Sequence, residues 1–175
     1  MGFAVELYLD GQSDQRVRSL WRILAAAGAY VEHAGAAPHV SLATFDRVDP
    51  PRAIAALSRF VESCEPLTIS FDSIGSFPTP EHVIFLAPAR DENLLATHAE
   101  LHGFLRSMML ESSALYVPGR WVPHCTLARD VPAEALDTAV RKAREALRPF
   151  DATLHEIGLV EFEPVRTLWR RSLEP

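Results

Sequence analysis

The chain has 175 residues, 48% apolar and 23% charged, the balance of a single globular domain with a substantial core. Its net charge of −6, from 17 Lys+Arg against 23 Asp+Glu, argues against duplex DNA, whose binding depends on neutralising many phosphates. No apolar run reaches the roughly 20 residues of a membrane span, and the opening residues lack a secretory pattern. A cytoplasmic protein with reduced thiols at Cys64 and Cys125 is therefore expected.

Residues 4–10 (AVELYLD) alternate apolar and polar positions and read as a strand ended by Gly11. Ser13 or Asp14 is expected to cap a helix to about residue 27, with Val17, Leu20, Trp21 and Leu24 on its apolar face. Gly28 stops it, and the small, irregular run 31–37 is read as a loop. A strand follows over 38–45. Asp49-Pro50-Pro51 then suits the start of a helix carrying Ile54, Leu57 and Val61, which Pro66 breaks. Residues 67–77 read as a strand that bends at Ile74-Gly75.

After Pro78 and Pro80 the order begins again, with a strand over 82–86. A helix from Asp91 to about residue 110 has the stripe Leu94, Leu95, His98, Leu101, Leu105 and Met108. A loop over 111–120 holds Tyr116, Pro118 and Gly119 and leads to a strand over 121–129. Residues 131–147 read as a helix, 152–162 as a strand containing Ile157-Gly158, and 165–170 as a last strand. His39 lies 35 positions before Ile74, and His124 lies 33 before Ile157. This matched order predicts one domain over 1–175, duplicated from halves at about 3–80 and 81–175. The expected fold is α+β, two lobes about an approximate two-fold axis, with mostly antiparallel sheets lining a central cleft and helices outside.

One phrase occurs in both halves: Pro38-His39-Val40-Ser41-Leu42-Ala43 and Pro123-His124-Cys125-Thr126-Leu127-Ala128. On a strand, alternate side chains share a face, so His39 groups with Ser41 and His124 with Thr126. Val40, Leu42, Cys125 and Leu127 then point into the interior. Displacement at phosphorus needs a base on the attacking oxygen and an acid on the leaving oxygen, roughly in line. Two imidazoles across a cleft can fill both roles near neutral pH, with no metal and no cofactor. The hydroxyls of Ser41 and Thr126 can hold non-bridging oxygens, and arginine can offset charge that builds up. Arg129 is the candidate cation, although strand parity puts it on the opposite face from Thr126. Apart from Lys142 the basic residues are arginines, which suit two-pronged contact with a single phosphate.

His39-Val40-Ser41-Leu42 and His124-Cys125-Thr126-Leu127 resemble the paired H-x-[ST]-hydrophobic motifs of the 2H phosphoesterase superfamily, in particular the bacterial 2′-5′ RNA ligase and RNA 2′,3′-cyclic phosphodiesterase group. The resemblance covers nearly the whole chain, since length, motif separation and duplicated order also agree. It implies metal-independent hydrolysis of 2′,3′-cyclic phosphates of RNA ends or nucleotides to 2′-phosphates, with His39 and His124 catalytic. Ser41 and Thr126 bind phosphate in this reading. His124 is assigned as base and His39 as acid, although the duplication makes the two nearly equivalent. The alternatives are 2′-5′ RNA ligation and a non-catalytic module that holds an RNA end or nucleotide. The implied partner is a small nucleotide or RNA end bearing a cyclic phosphate, bound by a monomer without membrane or duplex DNA. Ser41 stands where threonine is commoner, and Glu6 interrupts a strand that is more apolar in typical RNA-processing members.

Tyr116 and Trp121 flank the second motif and are candidates for stacking on a base, although anchoring in the core is the commoner role for such residues. His98 and His102 have the i, i+4 spacing of helical metal ligands. The neighbouring Leu101 and Leu105 favour packing there instead. His33, His82 and His155 are expected to be structural or exposed, and Arg170 and Arg171 to be solvated.

Overall fold

A computed structural model describes residues 2–29, 35–162 and 164–174. The expected loop over 31–37 lies largely outside the described residues, as does His33. The elements in chain order are β1 (Gly2–Leu9), α1 (Gly11–Ala26), β2 (His39–Phe45), α2 (Pro50–Val61) and β3 (Leu67–Ser76). They continue with β4 (Ile84–Pro88), α3 (Glu92–Ser107), β5 (Cys125–Ala128), α4 (Ala133–Ala146), β6 (Phe150–Phe162) and β7 (Arg166–Ser172).

Local chemistry sets the ends of these elements. The cap of α1 is Asp10, whose carboxylate accepts from the Gln12 and Ser13 amides, both at 3.0 Å. Ser13, expected as the cap, is buried and donates its hydroxyl to Asp10 at 2.7 Å. Asp49 precedes α2, with proline in the first turn as expected but no side-chain cap bond. On α2 the buried face is Ala53, Ala56, Leu57 and Phe60; the expected Ile54 and Val61 sit at its margins. Two strands start later than their composition indicates. His82 has φ +42° in a turn closed by its amide on Thr79 O, so pairing begins at Ile84. Pro123 cannot donate to a ladder, and the second motif strand begins only at Cys125.

The strands form one sheet in the order β2-β1-β6-β3-β4-β5, with β7 also paired to β6. Every pairing is antiparallel. The order reads the same from either end when β1, β2 and β3 are exchanged for β4, β5 and β6. The third strand of each half has thus crossed over: β6 pairs with β1, and β3 pairs with β4. The helices follow the same rule, α1 packing with α4 and α2 with α3. Among the largest fully buried side chains are Leu7, Leu24, Leu42, Phe60, Phe71, Ile84 and Leu101. Each such side chain stabilises the fold by about 1.5–3 kcal/mol.

The end strands β2 and β5 approach each other, which turns the sheet into the walls of a cleft. Their free backbone groups, which would otherwise invite pairing with another chain, are covered. Ser41 O accepts from Trp121 Nε1 at 3.0 Å, Leu42 O from His102 Nε2 at 3.2 Å and Thr44 O from the Ser113 amide at 2.7 Å. On β5, Thr126 O accepts from Trp21 Nε1 at 3.2 Å.

Candidate active site

Strand parity holds in both motifs. Val40, Leu42, Cys125 and Leu127 are fully buried, while His39, Ser41, His124 and Thr126 are partly open. Burial raises the Cys125 thiol to about 12, so it is a packing residue and not a nucleophile. Cys64 and Cys125 are both free thiols.

Each motif histidine is tied back to its own chain. Nδ1 of His39 lies 2.7 Å from Ala37 O, and Nδ1 of His124 lies 2.8 Å from Val122 O. A carbonyl only accepts, so both Nδ1 atoms carry hydrogen and the chemistry is left to Nε2. The two imidazoles are near enough for the charge of His39 to act on His124. The pKa of His124 is lowered from its ordinary value, chiefly by burial and also by His39, against the opposing effect of its hydrogen bond to the Val122 carbonyl. Its neighbours are the rings of Phe77 and Phe85, with centroids at 5.0 and 5.4 Å. Among the described residues, neither the Ser41 nor the Thr126 hydroxyl has a hydrogen-bond partner, so both are available to a ligand.

The surroundings of His39 are different. Its Nε2 lies 3.4 Å from Oε1 of Glu6, which is only 8% exposed on β1. Glu6 is also close enough to the Tyr8 phenol, two residues on along β1, to act on it. Burial, and then Glu6, pushes that phenol well above its ordinary range. Arg170 of β7 stacks over the Tyr8 ring at 4.0 Å and is ion-paired with Glu156. This corrects the expectation that Arg170 is simply solvated. Gly158 leaves room for Tyr8: a Cβ there would lie 2.9 Å from the ring and 3.1 Å from Trp169 O.

The remaining candidates divide. The Tyr116 phenol is raised by burial and then by Glu6, against a lowering effect of Arg129. Arg129 lies just beyond β5, exposed, with Nε 3.3 Å from Asp130 Oδ2, so it stands at the rim. Trp121 is 8% exposed and stacks on His98 at 4.0 Å and 7°, so it is a core wall and not a platform for a base. His98 and His102 are buried, and their Nε2 atoms donate to Tyr116 O at 2.8 Å and Leu42 O at 3.2 Å. Those bonds make them structural. Among the described residues no three His, Cys, Asp or Glu side chains gather as a metal site. His82 is likewise structural, bonded to Val131 O at 2.8 Å. A hollow of about 580 Å³ on the outer side of α1, lined by Gln15, Arg18 and Arg22 among others, includes neither motif histidine.

Tyr8, Phe77 and Phe85 were not singled out by sequence reading, and Glu6 only as an interruption of the first strand. For Glu6 a signal existed: a lone carboxylate between Val5 and Leu7 in an otherwise apolar strand, which burial makes costly unless it has a task.

An antiparallel sheet with exchanged third strands, carrying a histidine and an unpartnered hydroxyl at each end strand, has the fold of a 2H phosphoesterase. Residues 10–166 match the sequence model of the 2′-5′ RNA ligase superfamily, and the chain belongs to that superfamily. Comparison with curated proteins gives no match. Among solved structures, Escherichia coli LigT complexed with 3′-AMP is similar at 17% identity and TM-score 0.69, covering 99% of this chain and 98% of that one. TT0787 of Thermus thermophilus is 21% identical with TM-score 0.68, at coverages of 99% and 98%. Usb1 of Kluyveromyces marxianus is 18% identical with TM-score 0.54, at coverages of 95% and 96%. These identities establish likeness of fold. No helix among the described residues is long and apolar enough to cross a membrane.

Proposed function

We propose that the protein is a metal-independent phosphodiesterase that opens 2′,3′-cyclic phosphates of nucleotides or RNA ends to 2′-phosphates. The observation that carries this reading is the matched pair of imidazoles, each with Nδ1 held by a carbonyl and Nε2 turned away from its own backbone. In this reading His124 Nε2 takes a proton from water as the water oxygen bonds to phosphorus. The bond from phosphorus to O3′ breaks, and His39 Nε2–H gives its proton to O3′. Water is consumed, and a 2′-phosphate and a free 3′-hydroxyl result. Ser41 and Thr126 hold the non-bridging oxygens, with Arg129 and Tyr116 at the rim toward the rest of the nucleotide. The palindromic strand order supports one domain of two halves, about 3–80 and 81–175. A monomer in the cytoplasm is the simplest setting.

The test is turnover of a panel of 2′,3′-cyclic nucleotides in EDTA, comparing the parent with His39→Ala and His124→Ala. Turnover that resists chelation and falls about 100-fold or more in each variant is expected, the scale of acid–base groups. Near-parent rates in either variant would overturn the reading. Superfamily membership favours a second one, 2′-5′ joining of RNA, in which an RNA hydroxyl replaces water. Joined product from RNA halves, in place of a 2′-phosphate end, is its signature.

A further inference from the structure

The two halves place different residues at one equivalent position beside their histidines. In the first, Glu6 of β1 faces Ser41 across to β2 and Gly158 across to β6. In the second, Phe85 of β4 faces Thr126 across to β5 and Gly75 across to β3. Both ladders slip at the same point, between Val5 and Glu6 and between Ile84 and Phe85. Glu6 and Phe85 are therefore counterparts, a carboxylate beside one histidine and a phenyl ring beside the other.

We propose that Glu6 is the positioning residue that breaks the equivalence of the two halves, keeping the proton on His39 Nε2 and so making His39 the acid, while Phe85 leaves His124 as the base. This rests on the phosphodiesterase reading of the site. With hydrogen fixed on Nδ1 by Ala37 O, a neutral His39 would direct its Nε2 lone pair at the Glu6 carboxylate 3.4 Å away. A proton on Nε2 turns that repulsion into an ion pair. At His124 the neighbours are the Phe77 and Phe85 rings, which offer nothing to hold a proton. Burial and the charge of His39 both lower His124, in keeping with a base.

Among the described residues, the other charged and titratable groups around His39 do not supply a rival. From β1 there are Glu6 and Tyr8, and from the second motif His124, just before β5, and the Cys125 thiol, which stays protonated. Arg170 of β7 lies across the Tyr8 ring and is engaged by Glu156 of β6. The cation Arg129 is exposed and paired with Asp130 at 3.3 Å.

The test measures Glu6→Gln, which keeps size and removes the charge, in two ways. The pH profile of kcat with a 2′,3′-cyclic nucleotide should be bell-shaped in the parent, its alkaline limb reporting the acid. In the variant that limb should move down by about one pH unit, the scale of a neighbouring opposite charge, costing about tenfold in rate above the limb, with the acid limb in place and KM little changed. A merely structural Glu6 would lower the rate equally at all pH values, and that result would overturn the proposal. Imidazole NMR titration, assigned with His39→Ala and His124→Ala, gives a readout without turnover and reports folding through signal dispersion. His39 should titrate above His124 in the parent and drop toward it in Glu6→Gln. An unmoved His39 titration overturns the role of Glu6 whether or not the parent turns over. Absence of turnover in the parent counts only against the phosphodiesterase reading.

Discussion

Trp21 and Trp121 brace the opposite motif strands. Trp21, from the first half, donates Nε1–H to the Thr126 carbonyl of the second, and Trp121, from the second, donates to the Ser41 carbonyl of the first. Each indole thus bonds the backbone of the residue whose hydroxyl faces the cleft. Trp21→Phe and Trp121→Phe keep an aromatic ring and remove this bond. Each should cost about 1 kcal/mol, the usual net worth of a hydrogen bond, in urea unfolding. Catalytic efficiency should fall as well, because the hydroxyl-bearing strand is less well held. Full activity in both variants would mean that the braces do not position the hydroxyls.

Acid should weaken the fold before it protonates ordinary carboxylates. Burial, and then the neighbouring His102, lowers His98 to about 4, and burial also lowers His102. Between about pH 6.5 and pH 4 the unfolded chain therefore binds more protons than the folded one, so stability is full above pH 6.5 and is lost as pH falls. The shift of His98 from 6.5 to about 4 corresponds to a loss on the order of 3 kcal/mol. Urea midpoints measured from pH 7 to pH 4 should fall across this window. His98→Gln should start lower, because it loses the stack on Trp121, but decline less steeply.

Gly158 and Gly103 should respond oppositely to alanine. A Cβ at Gly158 meets the Tyr8 ring at 2.9 Å and Trp169 O at 3.1 Å, whereas one at Gly103, on the exposed side of α3, meets nothing within 4 Å. Gly158→Ala should destabilise by about 1–3 kcal/mol, the cost of overpacking. Gly103→Ala should stabilise by about 0.5–1 kcal/mol, the helix preference for alanine. Chemical denaturation of the two variants gives both signs in one experiment.

The placement of His39, Ser41, His124 and Thr126 was legible in sequence because strand parity is a local rule, and Val40, Leu42, Cys125 and Leu127 are buried as it requires. The repeated Ile-Gly was also legible as a repeat. Its meaning was not, because the partners of Gly75 and Gly158 are Phe85 and Glu6 on neighbouring strands, contacts set by the crossover. The positive φ of His82 left no trace, since such a conformation in a residue other than glycine is imposed by its surroundings. Arg170 looked solvated because its stacking partner, Tyr8, lies at the other end of the chain.

The crossover of β3 and β6 also governs the order in which the protein can assemble as it is made. The strand Gly2–Leu9 takes its partners in β6 from Leu154–Phe162, so this pairing waits until β6 has left the ribosome. Pairings this distant in sequence make for slow folding. They also leave one edge of β1 unpaired in the nascent chain until β6 emerges, while β2 is at hand for the other.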